Sequence, residues 1–243
     1  MAGHSKWNNI KKRKEAVDQK RGKIFTKLGR EIQVAIKEGG PNPEENFTLQ
    51  AAIARARSYN MPNDTIKRAI DNATSSNASD FTSVTYEGYG PAGVAVMVKA
   101  LTDNRNRTAG EVRHIFDKYD GNLGKDGSVS FQFASKGNLI LEKEKYQDED
   151  KVMMDALEAG CDDIEISEEI YEIVTSPENH NEVVQYLTKA GYEFADIFLG
   201  PQALTYTKVE TVEDEEKLKK MLDKLEELDD VQDVFHNWEQ REE

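Results

Sequence analysis

Cysteine is nearly absent: Cys161 stands alone in 243 residues. That excludes an intramolecular disulfide framework and a cysteine-cluster metal site, and it suits a reducing compartment. Histidine is scarce too. His4, His114, His180 and His236 are far apart, with no Glu or Cys at ligand spacing, so neither a metal nor another cofactor is expected. No apolar run approaches the roughly 18 residues of a membrane span, so no membrane partner is expected. The amino terminus is basic, but no apolar stretch follows it as in a secretory signal. It favours Lys where a mitochondrial presequence favours Arg and Ser, so the expected location is the cytoplasm. Local nucleophile signatures, G-x-S-x-G or a Cys-His pair, are missing as well. The expectation is a protein that is not an enzyme and has no small-molecule substrate.

What is present is charge, unevenly spread. Apolar residues make up 37% and charged residues 32%, enough for several small cores separated by polar seams. The net charge of −14 alone argues against a nucleic-acid partner. The total hides a division. Residues 1–80 carry 15 Lys and Arg against 9 Asp and Glu, a net of +6, while residues 81–243 carry 17 against 37, a net of −20. Within residues 1–37 the net is +8. Such asymmetry points to a basic region for a polyanion and a self-repelling, soluble body.

The basic region has helical periodicity. Ile24, Phe25, Leu28, Ile32, Ala35 and Ile36 recur on one arc between Lys20 and Lys37, and Gly39-Gly40-Pro41 stops the pattern. Lys20, Lys23, Lys27, Arg30 and Lys37 fall on the opposite arc, with Val34 out of place among them. A second helix is expected from Asn46 to Asn60, ended by Met61-Pro62. A third follows, capped by Asn63 or Asp64. The polar run 75–80 is a linker. Beyond it, Val94–Leu101 has strand character, a helix opens on a capping box at Thr108 and Glu111, and Ser128–Phe133 alternates as a strand with Val129, Phe131 and Phe133 on one face. Residues 136–200 hold a β-α-β-β-α-β series, the ferredoxin-like motif, closed by a strand over Glu193–Leu199. Gly200-Pro201 follows, then a strand near Leu204–Val209, an acidic helix near Asp214–Leu228 and a strand at Val231–Phe235. The tail is too small to bury its own apolar face. The expected fold is therefore α+β: a helical domain at 1–80, then two α+β domains. One is built from 81–135 and 201–243, and the other, 136–200, is inserted in it.

Two glycine patterns carry no nucleotide chemistry. Gly88-Tyr89-Gly90-Pro91-Ala92-Gly93 matches G-x-G-x-x-G, but an apolar strand follows it where a dinucleotide loop needs a helix, so a hairpin turn is expected. Arg21-Gly22-Lys23 lacks the upstream glycine of a P-loop. Two basic sets remain. The first comprises Lys6, Trp7, Lys11, Lys12, Arg13 and Lys14, continued by Lys20, Arg21, Lys23, Lys27 and Arg30. Lysines suit phosphates, and Trp7 either stacks on a base or staples onto the helical domain. The second is Arg105, Arg107 and Arg113 with His114, where a polar loop and a helix amino terminus together can hold a phosphate or simply make a turn.

Longer blocks carry a resemblance. The opening A-G-H-S-K-W, K-R-G-K-I-F-T-K-L at 20–28, N-M-P-N-D-T-I-K-R-A-I at 60–70, E-G-Y-G-P-A-G-V-A, T-D-N-R-N-R-T and G-S-V-S-F-Q-F together resemble the YebC family over the whole chain. The resemblance implies a helical amino-terminal domain and two α+β domains. It also implies a regulator of gene expression, since bacterial members are described as DNA-binding transcriptional regulators. A mitochondrial relative is a translational activator, and some bacterial members are regarded as ribosome-associated. Both polyanions, DNA or ribosomal RNA, therefore stand as expected partners, with residues 4–37 as the first contact and Arg105–His114 as the second.

Overall fold

The computed structural model describes residues 17–75 and 80–239, with side chains from residue 22 onward. The chain divides into two compact units, one of residues 1–78 and 135–200, the other of residues 79–134 and 201–243. The fold is α+β, with a helical amino-terminal region and two sheet-containing modules, one inserted in the other.

In the first unit, α1 (Val17–Gly39), α2 (Phe47–Ser58) and α3 (Asn63–Ala73) enclose a core of Leu28, Ile32, Leu49, Ala56, Met61 and Ile66. Asn46 makes the α1–α2 corner. Its carboxamide oxygen accepts the Leu49 N–H at 3.0 Å and so caps α2, while its nitrogen donates to the carbonyls of Ala35 and Gly40 at the end of α1. Gly39 is required here because a Cβ would collide with the Asn46 side chain. Helix α3 is preceded by Pro62, which makes no side-chain cap; the expected caps Asn63 and Asp64 lie inside the first turn. Val34 is buried despite lying among the lysines of the helical wheel, since a wheel knows nothing of packing from outside its own helix.

The same unit contains the ferredoxin-like module: β4 (Phe133–Glu142), α5 (Glu149–Glu158), β5 (Asp163–Ile166), β6 (Ile170–Thr175), α6 (His180–Lys189) and β7 (Asp196–Ala203). The sheet order is β5-β6-β4-β7. Leu139, Leu141, Tyr171 and Ile173 pack under Val152, Ala156, Val183 and Leu187 of the helices. Strand β7 runs through Gly200-Pro201 instead of stopping there. As an edge strand it tolerates a residue without an N–H. Asp196 joins this module to the helices, accepting from Tyr59 at 3.1 Å and lying 3.6 Å from the Arg55 guanidinium.

His180, at the start of α6, is wholly buried, its Nδ1 3.2 Å from the Thr175 hydroxyl. Burial pushes its imidazole down to a pKa of about 4. Because an unfolded histidine titrates near 6.5, the ring's contribution is complete above that pH. It is lost as the pH falls toward 4, by about 3 kcal/mol in all. Urea unfolding across this window should show that slope in the native protein and a shallower one in His180→Gln. Equal slopes would mean that burial in the fold does not shift the ring's titration.

In the second unit, β1 (Thr82–Tyr89), β2 (Ala95–Thr102), β3 (Asn122–Leu123) and β9 (Val231–His236) form an antiparallel sheet in the order β3-β1-β2-β9. Helices α4 (Arg105–Lys118) and α7 (Val212–Glu227) cover one face, with Val96, Val98, Val112, Phe116, Leu218 and Met221 between them. The glycine pattern at 88–93 is the β1–β2 turn, where Ala92 and Gly93 take positive φ and the Gly90 N–H donates to the Val94 carbonyl. Strand β1 itself has no counterpart in the sequence reading. The strand expected near Leu204–Val209 shrinks to β8 (Thr207–Lys208), paired in parallel with β10 (Trp238–Glu239).

Two further expectations fail for local reasons. Helix α4 starts three residues before Thr108: its cap is Asn104, whose side chain accepts the Arg107 N–H at 3.1 Å, and Thr108 is buried with its hydroxyl on Asp230. The alternating run at 128–133 is no strand before Phe133. The buried Glu87 carboxylate accepts N–H bonds from Gly127, Val129 and Ser130 at 2.8–3.0 Å, which bends the run into a turn. Val129 goes inward, while Phe131 is left 70% exposed.

Candidate nucleic-acid interface

Residues Lys6, Trp7, Lys11, Lys12, Arg13 and Lys14 lie outside the described residues, as do the side chains of Lys20 and Arg21. The rest of the first basic set sits on α1. Lys23, Lys27 and Arg30 recur at helical spacing on one face, with Lys37 a further two turns along. Lys23 and Lys37 are exposed, whereas Lys27 and Arg30 are half-buried, so the open basic surface is narrower than the sequence pattern implies. A long stem can lie along the protein while its charged head reaches the surface. A lysine ammonium or arginine guanidinium in this setting can neutralise a phosphate without reading a base.

The sequence reading passed over other exposed bases of the same bundle: Arg57 on α2, and Lys67 and Arg68 on α3. The adjacent Lys67-Arg68 pair, between the inward Ile66 and Ala69, was the signal available. Arg55 is different. It is buried and donates to Glu31 at 2.7 Å, so its charge serves the fold.

The second set separates into two kinds of residue. Arg107 is committed internally, with one guanidinium nitrogen 2.6 Å from the Asp230 carboxylate and 2.9 Å from that of Asp103. The hydroxyls of Thr102 and Thr108 reach the same Asp230 oxygen at 3.1 and 2.7 Å. Burial opposes ionisation of Asp230, but the bonds from Arg107, Thr108 and Thr102 outweigh it and hold the carboxyl below its usual range. The T-D-N-R-N-R-T block is thus chiefly a lock between the first turn of α4 and the residue before β9. Arg105, Arg113 and His114 remain exposed on α4, Arg105 with its Nε 3.4 Å from the Thr82 hydroxyl.

A third feature escaped the sequence reading because alternation placed it inside. Phe131 stands on a turn fixed by Glu87, by the Tyr89 hydroxyl donating to the Ser128 carbonyl at 3.0 Å, and by Gln132 between Tyr89 and Asn237. Burial opposes ionisation of Glu87, but its three backbone donors prevail and keep it ionised below the usual carboxylate range. A fixed, exposed aromatic ring is a surface on which a base can stack. Among the described residues no group of three or more His, Cys, Asp or Glu is placed to hold a metal ion, and no helix is long and apolar enough to cross a membrane.

Comparison with known proteins agrees with the fold. A solved structure of a conserved hypothetical protein, Aq1575, from Aquifex aeolicus is similar, with a TM-score of 0.86 and 44% identity over 93% of each chain. A "Probable transcriptional regulatory protein" of Acetivibrio thermocellus is 52% identical over 98% of this chain and 99% of its own. One from Caldicellulosiruptor bescii, of the same name, is 52% identical over the full length of both. Residues 5–76 match the model of the TACO1/YebC protein N-terminal domain, and residues 81–238 match that of the TACO1/YebC second and third domain. Matched in both parts and along almost its whole length, the chain belongs to the TACO1/YebC family.

Proposed function

We propose that this protein is a non-enzymatic, cytoplasmic regulator of gene expression that binds nucleic acid through its basic helical domain, and that DNA in a transcriptional role is the first candidate. The observation that carries the reading is the charge division, +6 in residues 1–80 against −20 beyond, with the exposed Lys23 and Lys37 on one helix of the basic part. The names of the relatives support the regulatory role. The contacts we assign are Lys6, Trp7, Lys11–Lys14, Lys20, Arg21, Lys23, Lys27 and Arg30, with Arg105 and Arg113 as a second set. Arg107 is left out because Asp230 and Asp103 hold it.

A ribosome-associated role is the second reading, and the same charge division favours it. Residues 81–243, of net −20, are repelled by a long duplex, while a crevice of ribosomal RNA can admit the basic residues with basic proteins beside the acidic ones. The basic helix also carries only Arg30 and Gln33 as side chains suited to base edges. If about five cations each neutralise a phosphate, log K against log salt should fall with a slope near −4.5 on duplex DNA, or about −3.5 on single strands. Matched and scrambled duplexes should be titrated alongside co-sedimentation with ribosomes at low and high salt. A preferred duplex site, with each mismatch costing about 1–3 kcal/mol, supports transcription. Ribosome association without such a preference supports translation, and a salt-independent affinity defeats both.

A further inference from the structure

The outer face of the ferredoxin-like module carries an apolar stripe that the basic surface leaves unexplained. On α5, Val152 and Ala156 point into the core, but Met153, Met154 and Leu157 are 36%, 61% and 60% exposed. At about 100° per residue these three fall within one arc of the helix. Tyr186 of α6, 41% exposed, adjoins them: its hydroxyl donates to Glu158, next to Leu157, at 2.9 Å. A surface helix ordinarily closes its outward face with polar residues, and a contiguous apolar patch on such a face marks an interaction site.

The rim of the stripe decides what it fits. Asp150 and Glu158 on α5 and Glu182 on α6 are exposed; Glu149 is exposed but paired with Lys143, and Lys189 is the one cation at the end of α6. The nearest cation on α5, Lys151, is paired with Asp155. Residues 136–200 as a whole carry 17 acidic side chains against 5 basic ones, a net of −12. Such a field rejects nucleic acid, an anionic lipid surface and a second copy of the same face. It attracts cations. Methionines supply an unbranched, polarizable surface that adapts to aliphatic and aromatic partners alike. We propose that the α5–α6 face docks a Lys- and Arg-rich amphipathic helix of a partner protein, laid with its apolar side on Met153, Met154, Leu157 and Tyr186 and its cations on the carboxylate rim.

The full-length protein should be titrated, by fluorescence anisotropy, with a labelled Leu/Lys peptide of about five helical turns whose leucines share one face. A Leu/Glu peptide of the same pattern and a scrambled Leu/Lys peptide serve as controls. The patterned Leu/Lys peptide should bind best. Met154→Asp with Leu157→Asp should weaken it by about tenfold or more, with an unchanged thermal melt because both side chains are exposed. This pair is decisive because it adds two negative charges, which would tighten any attachment that charge alone produced. Equal or tighter binding by the variant overturns the proposal, as does equal binding of the scrambled peptide. Sedimentation velocity without peptide tests a second copy as the occupant, and a dimer that the same substitutions dissolve would likewise overturn it.

Discussion

Replacing Asp230 with Ala is expected to lower the unfolding free energy of the second unit by about 2–4 kcal/mol at neutral pH. The carboxylate is buried and takes bonds from Thr102, Thr108 and Arg107, while the backbone carbonyl of Asp230 accepts the Leu101 N–H at 2.8 Å. Removal takes their shared acceptor from two buried hydroxyls, which keep only each other and the backbone of Asn104 as partners. It strands Arg107 less, since that side chain is 44% exposed and water can reach it, which keeps the figure below that for a fully buried pair. Arg107→Ala should therefore cost less than Asp230→Ala. The pH dependence has a definite sign. The folded carboxyl titrates below its unfolded range, so its contribution is complete above about pH 4 and disappears as the pH falls through the lowered value. Trp238, buried in this core, reports unfolding in a Trp7→Phe background. A loss under about 0.5 kcal/mol, the range of an ordinary surface change, would show that the Asp230 network does not stabilise the fold.

The lock also shows why the second basic set could be seen in the sequence but not sorted. Arg105, Arg107 and Arg113 look alike in a string of letters, and the carboxylate that singles out Arg107 lies 123 positions from it, at Asp230. The turn at 127–132 has the same cause. Its alternation is a genuine strand pattern, and Glu87, some 40 residues earlier, overrides it with three backbone bonds. Patterns settled within one element fared better. The apolar arc of α1, the stop at Gly39-Gly40, and the hairpin in place of a dinucleotide loop each depend on neighbours within a few residues, and there periodicity and turn chemistry suffice. Val34, Lys27 and Arg30 mark the limit of that success: the helix was legible, and what covers part of its basic face was not.

That partial cover bears on the largest effect expected for binding. The triple variant Lys23→Gln, Lys27→Gln, Arg30→Gln keeps helix propensity and much of the aliphatic stem packing, so the three-helix core should stand. Each lost phosphate contact removes about 0.9 from the salt slope and close to a decade of affinity at roughly 0.1 M salt, so three together should weaken binding several hundredfold. Arg107→Gln should change affinity by less than about threefold, because its charge is already neutralised within the protein by Asp103 and Asp230. The two variants therefore test the assignment as a pair. Comparable defects would mean that Arg107 leaves its carboxylates to reach the ligand, and no defect in the triple variant would remove α1 from the interface. Assayed on a short duplex, a single-stranded RNA and ribosomes, the triple variant also shows where the cations act. A defect equal on all three reports phosphate contact without choice of partner. One confined to ribosomes places the α1 cations against ribosomal RNA, and one steeper on a preferred duplex than on random sequence restores Arg30 as a base reader.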